Sequence, residues 1–184
     1  MPNDPSTMLP LYAIVPGRLE HIARLNDIER SAARLLEGYA PESVLRETTT
    51  AADFRTAITA GLLWVSATDA QPVGFAHVKL LERSRAHLDE LDVHPDHARR
   101  GVGRRLVRAV CDWAAASYLD AVTLSTFRKP PWNAPFYASM DFRALTESEL
   151  TPALRRVVAQ ETRRGLDPTQ RVVMYRETRV APAW

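Results

Sequence analysis

The sequence predicts an α/β fold: a mixed, mostly antiparallel central sheet with one parallel strand pair and helices on both faces. Two observations carry this. Apolar runs at 62–68, 73–81 and 86–93 are separated only by short polar turns at 69–72 and 82–85, and such turns join antiparallel strands. A helical period over 100–117 then separates strand 86–93 from strand 121–127, and a strand–helix–strand crossover joins parallel neighbours.

The elements follow in order. Residues 9–15 read as a first strand, broken by Pro16 and Gly17. A helix over 18–36 carries Leu19, Ile22, Leu25, Ile28 and Leu35 at helical spacing and ends at Gly38 and Pro41. A shorter helix over 51–60 puts Phe54 and Ile58 on one face. The three hairpin strands come next. The helix 100–117 has Val102, Leu106, Ala109, Val110 and Trp113 on one side. A short helix at 135–140 and a short strand at 142–145 follow strand 121–127. Thr146 and Glu149 have capping-box spacing and open a C-terminal helix of about 147–164, terminated by Gly165. Residues 171–176 are the last strand. We read residues 1–184 as one domain with its core motif at 86–142.

Composition narrows the class. A chain of 184 residues with 46% apolar content can bury a core. The start, MPNDPSTMLPLY, has neither a basic region nor an apolar signal core, and no apolar run reaches membrane-spanning length. The single Cys111 rules out an internal disulfide framework and fits a reducing compartment. A cytoplasmic protein that engages neither membrane nor nucleic acid is therefore expected, the net charge being only +2. Lys79 and Lys129 are the only lysines, a bias that reads as codon usage.

Residues 91–106, LDVHPDHARRGVGRRL, carry the most information. An apolar strand ends at Pro95, and Gly101 and Gly103 stand at the start of an amphipathic helix. The first turn of a helix offers unpaired N–H groups and a partial positive charge, and glycine admits close approach. That combination suits a phosphate or pyrophosphate, with Arg99, Arg100, Arg104 and Arg105 adding guanidinium groups. A P-loop is excluded because no G-x-x-x-x-G-K-[ST] occurs. A dinucleotide fingerprint is disfavoured because its third glycine is Leu106 and Asp120 precedes the next strand instead of ending it.

The run of apolar strand, V-x-P, short loop, R-G-x-G and amphipathic helix resembles the acetyl-CoA motif of the GNAT acetyltransferases. FYASMDF at 136–142 resembles their Y-x-x-x-G-F segment. The predicted strand order is also GNAT-like. Two positions depart from the pattern: Ala98 stands where a Gln or Arg is usual, and Asp141 where a left-handed Gly is usual. The resemblance implies an N-acetyltransferase that uses acetyl-CoA as co-substrate, without a metal, by direct attack of a primary amine in a ternary complex. It implies a pyrophosphate cradle at Arg99, Arg100, Gly101, Val102, Gly103 and Arg104. Free backbone groups of Leu91, Asp92 and Val93 would pair with the pantetheine arm and the thioester carbonyl.

Acetyl transfer needs a base for the ammonium, a donor for the oxyanion and a proton for the leaving thiolate. Period two places Leu88, Glu90 and Asp92 on one face of strand 86–93, and Leu91 and Val93 on the other. Neighbouring carboxyls raise one another's pKa, which suits a base. Glu90 is the first candidate, directly or through water, with Asp92 and His77 as alternatives; a solvated strand face is the plain reading. Tyr137 stands at the family's Tyr position, as general acid or as a core aromatic. Asn133 is a candidate for the pantetheine arm, and Phe127 and Trp132 for the acceptor wall. His94 and His97 read as loop residues without further metal ligands. Cys111 lies mid-helix, far from an activating N-terminus, which argues against a Cys-acetyl intermediate. The acceptor, a small-molecule or peptide amine, is not encoded in any motif, and a homodimer stays open as a further partner. A non-catalytic acyl-CoA-binding or regulatory domain is the alternative function.

Overall fold

A computed structural model of the chain describes residues 12–178. In order, its elements are β1 (Ala13–Pro16), α1 (Ile22–Ala33), α2 (Glu42–Leu45), α3 (Ala51–Thr59), β2 (Leu63–Thr68), β3 (Gln71–Glu82), β4 (Arg85–Val93), α4 (Val102–Ala116), β5 (Ala121–Phe127), α5 (Ala134–Ala138), β6 (Arg143–Ala144), α6 (Pro152–Arg163) and β7 (Arg171–Glu177). The strands form one sheet in the order β1-β2-β3-β4-β5-β7-β6. Its parallel pair is β4 with β5, and every other neighbouring pair is antiparallel. No helix among the described residues is long and apolar enough to cross a membrane.

Local chemistry sets the hairpins. Asp69 and Ala70 adopt φ of 48° and 62°, and paired positive φ values give a two-residue turn whose twist matches the strands. On one sheet face, Val102, Leu106, Val107 and Val110 of α4 pack with Val78, Ala86, Leu88, Val122 and Leu124. On the other, Ile22, Leu25 and Ile28 of α1 and Phe54 of α3 pack with Leu63, Val65 and Phe75. The Phe54 and Phe75 rings meet edge to face at 5.5 Å.

Three expectations change at their edges. The first strand is described only from Ala13, so residues 9–11 of the expected strand lie outside the described residues, and Pro16 belongs to the strand as its last residue. The capping box of Thr146 and Glu149 closes only a 3-10 turn over Glu147–Glu149, because Leu150 is extended at ψ 121°. The long helix starts anew at Pro152, where the Thr151 hydroxyl accepts from the Leu154 amide.

The third change positions the site. His77 pairs with Glu90 and Val78 with Leu88, so Asp89 is an extra residue in β4. Such a bulge shifts the inside–outside phase by one residue. Leu88 therefore lies on the α4 face with Leu91 and Val93, not with Glu90 and Asp92 as strict alternation predicts. Glu90 and Asp92 do share a face, the α1 side, opposite His77 and Phe75 of β3.

Candidate functional site

Strands β4 and β5 part company halfway along. Their described pairing runs from Arg85↔Ala121 to Leu88↔Leu124. Beyond that, β4 continues to Val93 against β3, and β5 continues to Phe127 against β7. The result is a wedge between parallel strands, with backbone groups of residues 89–93 along one side.

The start of α4 stands at the mouth of this wedge. Gly101 is its N-cap at φ 78°, a left-handed conformation that glycine adopts without strain. Arg105 donates to the Gly101 carbonyl at 3.1 Å, so the amides of Val102, Gly103 and Arg104 in the first turn have no intrahelical acceptor. A Cβ at Gly101 would meet no atom within 4 Å, which leaves that side open for a ligand. A Cβ at Gly103 would face inward, 3.6 Å from Phe136 and 3.8 Å from Val93. Arg99 and Arg100 are exposed beside the cap. Arg104 is differently employed: its guanidinium donates to the Ser139 hydroxyl at 2.8 Å and lies over Phe136. Its backbone N–H, in the first turn, has no intrahelical acceptor.

The segment after β5 lines the other side of the wedge. Asn133 donates through Nδ2 to the Thr126 hydroxyl at 2.7 Å, while its Oδ1 is buried without a partner. Tyr137 of α5 is buried, with Phe136 at 5.1 Å and Phe142 at 5.7 Å, both edge to face. Burial, then the charges of Asp92 and Glu90, raise its phenol, so it stays protonated and able to donate. Asp141 takes φ 65°, the left-handed geometry its position requires.

On the α1 side, titratable groups converge. Glu90 and Asp92 are half-buried as residues, but Oδ2 of Asp92 is fully buried and unpartnered. Burial, then the negative charges of Glu29 and Asp89, push Glu90 up to about 8. Burial, then Glu90 and Glu29, raise Asp92 well above the carboxylate range. Glu29 of α1 is also raised by burial, against hydrogen bonds from Thr49 and Asn26 that pull the other way. His77 is buried, with its pKa lowered chiefly by desolvation, so it is neutral at pH 7. The bulged Asp89 reaches back to Lys79 at 2.7 Å.

Aromatic side chains border this face. Tyr39, from the segment after α1, lies 6.4 Å from both Phe127 and Trp132. Phe127 is buried beneath the Arg171 guanidinium at 4.5 Å, and Trp132 is 46% exposed. His97 is tied to the Tyr12 hydroxyl at 3.0 Å and His94 to the Asp96 amide. Cys111 is buried in α4, and burial raises its thiol, the opposite of an activated nucleophile.

The structure thus gathers Glu90, Asp92, Asn133, Tyr137 and the start of α4 around one wedge. Sequence reasoning missed Glu29, Asp89 and Tyr39. Glu29 carried a signal: it interrupts the apolar stripe of α1 one turn after Leu25. Asp89 carried none, because a bulge has no fixed residue signature here.

Residues 25–142 match the model of the acetyltransferase (GNAT) family. Solved structures share the fold. A PaiA N-acetyltransferase of Thermoplasma acidophilum in complex with coenzyme A is 15% identical, with TM-score 0.72 over 91% of this chain and 99% of that one. The ribosomal-protein-S18-alanine N-acetyltransferase of Escherichia coli is 15% identical, with TM-score 0.64 over 93% and 96%. N-acetylglutamate synthase of Neisseria gonorrhoeae, complexed with coenzyme A and N-acetyl-glutamate, is 18% identical, with TM-score 0.67 over 94% of this chain and 36% of that one.

Proposed function

This chain belongs to the acetyltransferase (GNAT) family, and from that premise we propose that it moves the acetyl group of acetyl-CoA to a primary amine by direct attack in a ternary complex. One observation carries the reading: the wedge between β4 and β5 has a glycine-capped helix start with free first-turn amides at its mouth and a carboxyl pair on its α1 side.

The residues fit coenzyme A. Amides of Val102, Gly103 and Arg104, with the exposed Arg99 and Arg100, suit its pyrophosphate. The orphaned Oδ1 of Asn133 suits an amide N–H of the pantetheine arm. Backbone groups of Leu91, Asp92 and Val93 are disposed to pair with that arm and to stabilise the oxyanion that develops on the thioester carbonyl.

Glu90 is the base of this reading, directly or through a water. A carboxyl held near 8 is a far better base than an ordinary glutamate and is still part-ionised at neutral pH. Tyr137 donates to the departing sulfur; its raised phenol makes it a hydrogen-bond donor that keeps its proton until the thiolate has formed. The buried Cys111 takes no part.

The test is a panel of amines with detection of CoA release, alongside melting temperatures with CoA and with NAD. Transfer to one or more amines and a rise with CoA alone are expected, since a ligand selective for the native state stabilises it. Binding of acetyl-CoA without transfer to any amine would assign the chain to a non-catalytic acyl-CoA-binding role.

A further inference from the structure

Carboxylates on the α1 side of the sheet are of two kinds. Asp89 pairs with Lys79 at 2.7 Å, Glu161 with Arg171 at 2.6 Å, and Glu47 with Arg164. Glu29, Glu90 and Asp92 have no ion pair among the described residues. A buried carboxyl without a counter-charge is costly, so such groups are otherwise paired or neutralised.

Glu29 faces the sheet, since it shares a buried stripe of α1 with Leu25 and Ala32, and α1 packs on β3 and β4. Its hydrogen bonds all come from neutral donors. The Thr49 amide donates at 2.8 and 3.0 Å, the Thr49 hydroxyl at 3.0 Å, and the Asn26 amide at 3.4 Å. These fix the carboxylate's orientation without a charged donor; Arg30 acts on it only through space and forms no ion pair with it. Two unsatisfied atoms lie on the same face. Oδ2 of Asp92 and Nδ1 of His77 are buried without a hydrogen-bond partner, and His77, only 6% exposed, pairs with Glu90 across the strands.

We infer that the missing counter-charge is the acceptor: Glu29, Glu90 and Asp92 form the seat of a primary ammonium group, and Glu29 is a specificity-determining residue that selects acceptors arriving as cations. The inference rests on the transfer reading above and names the charge state in which its substrate binds. Once seated, the ammonium gives one proton to Glu90; an N–H bond breaks, an O–H bond forms, and the nitrogen lone pair is free to attack. Glu29, its carboxyl oriented by Thr49 and Asn26, holds the acceptor in place.

The test uses the CoA-loaded protein and calorimetry, so it does not need turnover. The probes are n-butylguanidinium, a cation that does not titrate in this range, and n-butylurea, its neutral counterpart of the same shape. Roughly tenfold to hundredfold tighter binding of the guanidinium is expected, as for hydrogen bonds to a charged group. Glu29→Gln keeps an oxygen for the Thr49 amide and should bring the two probes to near-equal affinity. Melting temperature and acetyl-CoA affinity should hold. Equal binding of the probes by the parent, binding of neither, or an unchanged preference in Glu29→Gln overturns the inference. If Glu29→Gln does not fold, the parent comparison decides alone. Cation preference without transfer to any amine refutes the transfer reading and leaves the seat standing; transfer without cation preference does the reverse.

Discussion

Replacing Glu90 by Gln should stabilise the protein while impairing it, and the gain should depend on pH. An unfolded glutamate gives up its proton near its ordinary 4.5, whereas folded Glu90 holds its proton to about 8. Between those values the folded state binds more protons than the unfolded one, so stability falls as pH rises. Below 4.5 both states are protonated and the contribution is fully present; above 8 it is fully lost. The span from 4.5 to about 8 corresponds to on the order of 3–5 kcal/mol. That is an upper bound, because Asp92 and Glu29 share the same burden of negative charge. The amide of Gln fills the same space and never ionises. Urea denaturation of parent and variant at pH 4, 6 and 8.5 should give a stability difference near zero at pH 4, growing toward the variant through the window. A difference that is the same at all three pH values would show that Glu90 is an ordinary solvated carboxylate and refute its role as a tuned base.

Other outcomes follow from the same geometry. The rate defect of Glu90→Gln should be constant below about 8, then shrink as pH approaches the amine's own pKa near ~10. The parent needs ionised Glu90 and an ammonium, whereas the variant needs the free amine, and both fall together below 8; a pH–rate profile with one ratio throughout removes the base role. Tyr137→Phe keeps the ring between Phe136 and Phe142, so folding and acetyl-CoA affinity should survive while turnover drops about 10²- to 10⁴-fold. Circular dichroism must accompany those kinetics, a more acidic leaving thiol should shrink the loss, and full activity would return Tyr137 to a core role. Gly101→Val should cost about 1–3 kcal/mol, through its left-handed φ of 78°, and abolish CoA binding. Gly103→Ala, whose Cβ makes only ordinary contacts on the inner side, should gain up to about 1 kcal/mol of helix stability and keep CoA affinity. Thermal melts with and without CoA check both, and the reverse pattern would misplace the cradle.

The sequence by itself determined the sheet and the glycine-capped start of α4, because both depend on local signals. Short polar turns, a helical period between two apolar runs, and R-G-x-G after V-x-P each act within a few residues of where they are written. The left-handed Asp141 was legible for the same reason: its position in the Y-x-x-x-G-F-like segment asks for positive φ, and φ is 65°. What needed long-range contacts could not be read. The bulge at Asp89 exists because β4 must pair with β3 in two registers, and it moved Leu88 to the opposite face from Glu90. The capping box at Thr146 was real, but Leu150 turned the chain before a helix could grow. The guanidinium of Arg104 meets Ser139 only because α5 packs beside the start of α4, a contact no local pattern announces. Glu29 and Tyr39 come from segments far ahead of β4 and join the site only because α1 packs across β3 and β4 and the following loop reaches Phe127. Periodicity reports which face a residue takes on its own element; which carboxylates lack a cation is a property of three elements packed together, and only the tertiary structure decides it.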